Sequence, residues 1–126
     1  MFSNYPRHLV SGKTAESIAK KYLLAKGLKL VEKNFATKAG EIDLIMRDGI
    51  KIVFIEVRYR ENTNFGLPEE TVTLSKQRKI IKAAQQYLIR KRLFDECECR
   101  FDIVAIHGTI PQHNINWITD AFYAQT

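Results

Sequence analysis

The stretch Gly40 to Arg60, GEIDLIMRDGIKIVFIEVRYR, constrains the fold more than any other. Two apolar runs, Glu41 to Met46 and Ile52 to Val57, flank an Asp48-Gly49 pair. Asp-Gly between β-type runs predicts a hairpin, because both central residues of a type I′ turn need φ > 0. Neither run is polar on alternate positions in its middle, so both faces of the hairpin are expected to be covered.

The acids stand out against that apolar background. A two-residue turn at Asp48-Gly49 sets Arg47 opposite Ile50, Asp43 opposite Phe54 and Glu41 opposite Glu56. Facing residues share a sheet face, as do residues two apart on a strand. Glu41, Asp43, Glu56 and Arg58 therefore fall on one face. Asp43 and Glu56 form a diagonal pair, roughly 7–8 Å apart at the backbone, within joint reach of one cation. The inference needs an even-length loop, since a one-residue slip would put the two acids on opposite faces. Gathered carboxylates call for a bound cation or a proton held at a raised pKa. Ordinary ion pairs at the strand ends, Glu41 and Arg58 among them, are the other reading.

Asp, a gap, then Glu-x-Lys on the next strand is the pattern of the PD-(D/E)xK nuclease superfamily, and this hairpin resembles it. GEIDLI, FIEVR, the FG-x-P-E-E segment at Phe65 to Glu70 and CRFDIVAI at Cys99 to Ile106 more closely resemble the YraN-like family, related to archaeal Holliday-junction resolvases. The likeness runs from about Gly12 to Phe122. It implies a restriction-endonuclease-like α/β fold and a metal-dependent endonuclease acting on DNA, branched DNA included. It also implies Mg²⁺ or Mn²⁺ held by Asp43, Glu56 and the Val57 carbonyl. By the same resemblance Glu16 is an active-site glutamate on the first helix, holding a water or a second ion. Gln77 lies near where several superfamily members place a polar active-site residue. One departure matters: Arg58 stands where the superfamily has lysine. A guanidinium stabilises charge but does not accept a proton at neutral pH, so a catalytically weak or inactive nucleic-acid-binding protein is the alternative.

The remaining elements follow from periodicity. Residues 1–10 carry no periodic signal and are expected to form a loose arm. Thr14 to Lys26 reads as a helix with Ala15, Ile18, Ala19, Tyr22 and Leu23 as its apolar stripe, Gly27 at C′, and Ser11 or Thr14 as N-cap. Leu28 to Phe35 reads as a strand, and Glu61 to Thr73 as a polar loop long enough to carry function. Ser75 to Leu93 reads as the longest helix, burying Ile80, Ile81, Ala84, Tyr87 and Leu88. Arg100 to His107 is a buried strand whose interior acid, Asp102, needs a partner, either Arg100 or an arginine from the neighbouring helix. Ile115 to Ile118 is a last short strand, with Trp117 in the core. The order αβββαββ with one antiparallel hairpin argues a mixed sheet flanked by helices.

The 126 residues suit one domain with a real core, at 45% apolar and 27% charged an ordinary soluble composition. No apolar run approaches the length of a membrane span. MFSNYPRHLV has neither the long apolar stretch nor the cleavage site of a signal peptide, which points to the cytoplasm. A net charge of +6 favours a polyanionic partner, nucleic acid before a membrane surface. Lys38, Arg60, Lys76, Arg78, Lys79 and Lys82 are the candidate phosphate contacts, and a homodimer is allowed. Cys97 and Cys99 read as reduced packing residues, being too few for a closed zinc site.

Overall fold

The computed structural model describes residues 12–93 and 97–124. The order is α1 (Gly12–Ala25), β1 (Lys29–Ala36), β2 (Glu41–Asp48), β3 (Lys51–Arg60), a 3₁₀ turn (Pro68–Thr71), α2 (Leu74–Arg90), β4 (Cys99–Thr109) and β5 (Gln112–Phe122). The strands form one sheet in the order β1-β2-β3-β4-β5. Every pair is antiparallel except β3–β4. A parallel pair needs a crossover connection, and α2 provides it. This is the expected α/β arrangement, a mixed sheet with flanking helices, compatible with a restriction-endonuclease-like architecture.

Alternation along β2 and β3 splits the core in two. Leu44, Met46, Val53 and Ile55 pack with Ala15, Ala19 and Leu23 of α1. Ile45, Ile52 and Phe54 pack with Ile80, Ala84, Tyr87 and Leu88 of α2. Being covered on both faces, these central strands make a rigid floor for whatever their ends carry. α1 closes at Gly27 (φ +98), where the Leu28 amide donates to Leu23 O at 3.1 Å and the Gly27 amide to Leu24 O at 3.0 Å, a Schellman ending. Thr14 lies inside α1 rather than capping it. Ser11 and the expected arm at 1–10 lie outside the described residues. α2 is capped by Thr73, whose Oγ1 accepts from the Lys76 amide at 3.2 Å.

The hairpin turn differs from the expectation. Asp48 pairs with Lys51, Arg47 with Ile52 and Leu44 with Ile55, so the two loop residues are Gly49 and Ile50. Only Gly49 has positive φ (+63), the signature of a type II′ rather than a type I′ turn. Asp48 stays in the strand because its carboxylate accepts from Arg100 Nη1 at 2.9 Å. The register moves by two residues. An even shift keeps every side chain on its face, so the parity argument for Asp43 and Glu56 holds, while their separation changes. Glu41 does not face Glu56: it pairs with Ala36 of β1.

β5 is also longer than expected, because its polar outward positions mask the strand. Ile115, Trp117 and Ile118 point inward between exposed Asn114, Asn116 and Thr119. Asp102, fully buried, accepts from Arg100 Nε at 3.0 Å, Trp117 Nε1 at 2.9 Å and the Asp120 amide at 3.0 Å. Its role is structural, and Trp117 is tied to the core through it.

Candidate acidic cleft where the hairpin opens

The β2–β3 ladder ends at the Leu44–Ile55 pair. Beyond it β2 keeps pairing with β1 as far as Glu41, and β3 keeps pairing with β4 as far as Arg60. The two central strands part, and the cleft between them, about 450 Å³, is lined by Glu16, Asp43, Glu56, Val57, Arg58 and Lys76 among others.

Asp43 stands at the fork. Its Oδ2 accepts the Val57 amide at 2.8 Å, replacing the ladder bond that β2 no longer supplies. In an extended strand a residue's N–H and C=O point to the same edge, so the Val57 carbonyl faces the same opening. Continuing the register sets Asp43 directly opposite Glu56 rather than diagonal to it. Glu56 is 4% exposed. Burial, then the neighbouring Asp43 charge, pushes its pKa up to about 8, against the lowering pull of Arg58 and Lys76. Glu56 thus holds its proton into the neutral range, where a bare carboxylate would be buried and repelled.

Two cations answer Glu56. Arg58 Nη2 lies 2.6 Å from Oε2 and Lys76 Nζ 4.0 Å from the same oxygen. Arg58 Nε is buried with no hydrogen-bond partner among the described residues. Lys76, expected as a phosphate contact, therefore belongs to the cleft itself. Glu16 reaches the cleft from α1, its carboxyl raised above the usual range by burial and by Asp43 and Glu41. The Asn34 side chain, which lines a hollow with Glu16, pulls that carboxyl the other way. Asn34 has φ +52, a conformation that asparagine tolerates better than most residues. A lone asparagine inside an apolar-basic strand was its only trace in the sequence.

Gln77 falls outside the cleft. Its Nε2 donates to Val72 O at 3.1 Å, and its side chain lines a separate groove with Arg78, Lys82 and Tyr123. One residue along a helix turns a side chain by about 100°, and Lys76 takes the inward direction. The basic residues of α2 thus divide. Lys76 faces the cleft, and Lys79 lies one turn on, its carbonyl under Gly40; Arg78 and Lys82 face the other groove. A Cβ on Gly40 would sit 2.6 Å from Lys79 O, so only glycine lets the loop bearing Lys38 approach α2. Arg60 lines the far wall. Glu69 and Glu70 stay out of the cluster: Glu70 accepts the Leu67 amide and Glu69 the Asn116 amide group. Among the described residues no group of three or more His, Cys, Asp or Glu side chains is gathered to hold a metal, and no helix is long and apolar enough to cross a membrane.

Fold and cleft together define a class: a mixed-sheet α/β domain with a carboxyl pair and two cations at the fork of its central strands. The chain belongs to the uncharacterised protein family UPF0102, whose model matches residues 15–106. It is 50% identical over 113 residues to a UPF0102 protein of Chromohalobacter salexigens, covering 90% of each chain. It is 45% identical over 112 residues to one of Stutzerimonas stutzeri, covering 89% of this chain and 93% of the relative. A Vibrio campbellii relative is 48% identical over 111 residues, covering 87% and 89%. The matched family segment contains Glu16, Asp43, Glu56, Arg58 and Lys76.

Proposed function

We propose that this chain is a metal-dependent endonuclease-like protein of the PD-(D/E)xK superfamily, close to the YraN-like family, that acts on phosphodiesters in DNA. The observation that carries the reading is the facing carboxyl pair at the fork of the central strands, Asp43 and Glu56, of which Glu56 holds a proton. A divalent cation takes the place of that proton naturally, because both relieve the same repulsion. The donors fit Mg²⁺ or Mn²⁺: two carboxylates and the Val57 carbonyl are hard oxygen ligands. When bound, the ion supplies charge neutralisation and Lewis-acid activation.

The chain's own residues do the rest. Asp43 is oriented by the Val57 amide, so its carboxylate is held before any ligand arrives. Arg58 and Lys76 offer positive charge where a phosphate would develop more negative charge. Arg58 presents a planar fork of donors and Lys76 a compact point charge. Glu16 orients a water from the α1 side. In bacteria, the source of the relatives quoted, DNA lies in the cytoplasm, the compartment that suits this reading.

One observation favours the second reading, a weak or inactive nuclease fold that binds nucleic acid. Arg58 is paired with Glu56 at 2.6 Å, so a cation must compete with a guanidinium. The deciding experiment is cleavage of duplex, single-stranded, flap and four-way-junction DNA with Mg²⁺ or Mn²⁺. Divalent-dependent cleavage lost in Asp43→Asn and Glu56→Gln supports the nuclease. Salt-sensitive binding without cleavage of any substrate supports the second reading and overturns the first.

A further inference from the structure

Three hollows that share wall residues lie at the end of the sheet that carries Asp43 and Glu56. Glu16 is a wall common to the acidic cleft and to a hollow lined by Lys13, Lys20, Lys33 and Asn34. On the other side, Arg60 and Thr71 are common to the cleft and to a cavity of about 500 Å³ bordered by Phe65, Leu67 and Glu70. Lysines dominate one end, three acids face three cations at the centre, and Phe65 and Leu67 stand among polar residues at the other end.

Phe65 is wholly exposed, and Leu67 beside it is 44% exposed. A single exposed apolar side chain is ordinary. Phe65 differs in how it is held and where. The Asn64 amide donates to Asn62 Oδ1 at 3.2 Å, the Gly66 amide to Thr63 O at 3.2 Å and the Leu67 amide to Glu70 Oε1 at 2.9 Å. Gly66, at φ +123, permits the bend that follows Phe65. The ring is thus presented by a hydrogen-bonded loop beside a charged cleft. The charged lining of its cavity is Arg60 against Glu61 and Glu70, a balance that disfavours a phosphate there and admits a neutral ring. Phosphates find the better field at the lysine end.

We propose that Phe65 is a stacking platform for an unpaired nucleobase, with the adjoining backbone crossing the cleft toward Lys13, Lys20 and Lys33. The proposal rests on the cleft being a phosphodiester site and deepens it by naming the ligand class: single-stranded or branched nucleic acid rather than intact duplex. A paired base keeps both faces stacked on its neighbours, whereas an unpaired one has a face to offer an aromatic ring. Basic grooves joined to aromatic platforms are how single strands are commonly held.

The test uses the full chain, a continuous duplex and the same duplex with a short single-stranded flap bearing 2-aminopurine. Binding is read by anisotropy and stacking by 2-aminopurine fluorescence. The expected result is flap binding about tenfold weaker in Phe65→Ala, duplex binding unchanged, and the fluorescence change lost. Phe65→Trp should retain both. Equal loss on duplex and flap, no loss on either, or an effect confined to self-association would overturn the proposal. The cleft reading fails separately, if cation binding survives Asp43→Asn and no substrate is cut; the fluorescence of the flap still decides the platform. A wild type that binds neither DNA overturns both.

Discussion

The Asp43 carboxylate takes the Val57 amide at 2.8 Å at the point where the β2–β3 ladder stops. A side chain thus satisfies a backbone donor that strand separation would leave unpaired. The bond fixes Asp43 toward Glu56, so the fork in the sheet and the acidity of the cleft have one cause. Asp43→Asn keeps an acceptor for the amide and removes the charge. It should fold, and it should abolish Mn²⁺ binding in calorimetric titration, as should Glu56→Gln. Wild-type binding by both variants would show that the cation site lies elsewhere.

Glu56 should make stability fall with rising pH. Its folded pKa is raised from 4.5 to about 8, so between those values the folded chain holds a proton that the unfolded chain releases. The contribution is fully present below the unfolded pKa and is lost as pH rises through the folded one. The span is on the order of a few kcal/mol. Urea midpoints from about pH 5 to about pH 9 should decline in wild type and flatten in Glu56→Gln. Saturating Mn²⁺ should recover the loss at the alkaline end, because an ion binding only the folded state stabilises it.

Arg58 is expected to limit chemistry more than binding. Arg58→Lys keeps the charge opposite Glu56 and adds a group able to exchange a proton. Single-turnover cleavage at neutral pH should rise about tenfold or more, with DNA affinity little changed. Arg58→Ala should lower cleavage. Equal rates across the three proteins would remove position 58 from the reaction.

The two basic faces of α2 predict different salt responses. Lys76→Gln with Lys79→Gln should flatten the log–log salt dependence of DNA affinity by about one unit per lost phosphate contact. Arg78→Gln with Lys82→Gln should leave the slope near wild type. The reverse pattern would move the DNA to the Tyr123 groove.

Asp102→Ala strips the acceptor from Arg100, Trp117 and Asp120 at once. Arg100 keeps only its Asp48 partner, and leaving its Nε and two further donors without an acceptor should cost about 2–4 kcal/mol in chemical denaturation. Mn²⁺ affinity of the folded fraction should not change, since Asp102 does not line the cleft.

The sequence by itself determined the element order, the two-sided burial of the hairpin and the pairing of Asp43 with Glu56 on one side. These are consequences of period: apolar runs and period-2 parity survive an error of two residues in register. It also determined Asp102 as a structural acid, because a lone charge in an apolar strand must find a partner. Only the tertiary structure decided that the turn is Gly49-Ile50, since Asp48 is held in the strand by Arg100, a residue 52 positions away. Only tertiary structure separated Lys76 from Gln77, adjacent residues whose directions depend on how α2 is rotated against the sheet. The same holds for Asn34 beside Glu16 and for Phe65 at the rim. These juxtapositions join distant parts of the chain, and local pattern has no period from which to read them.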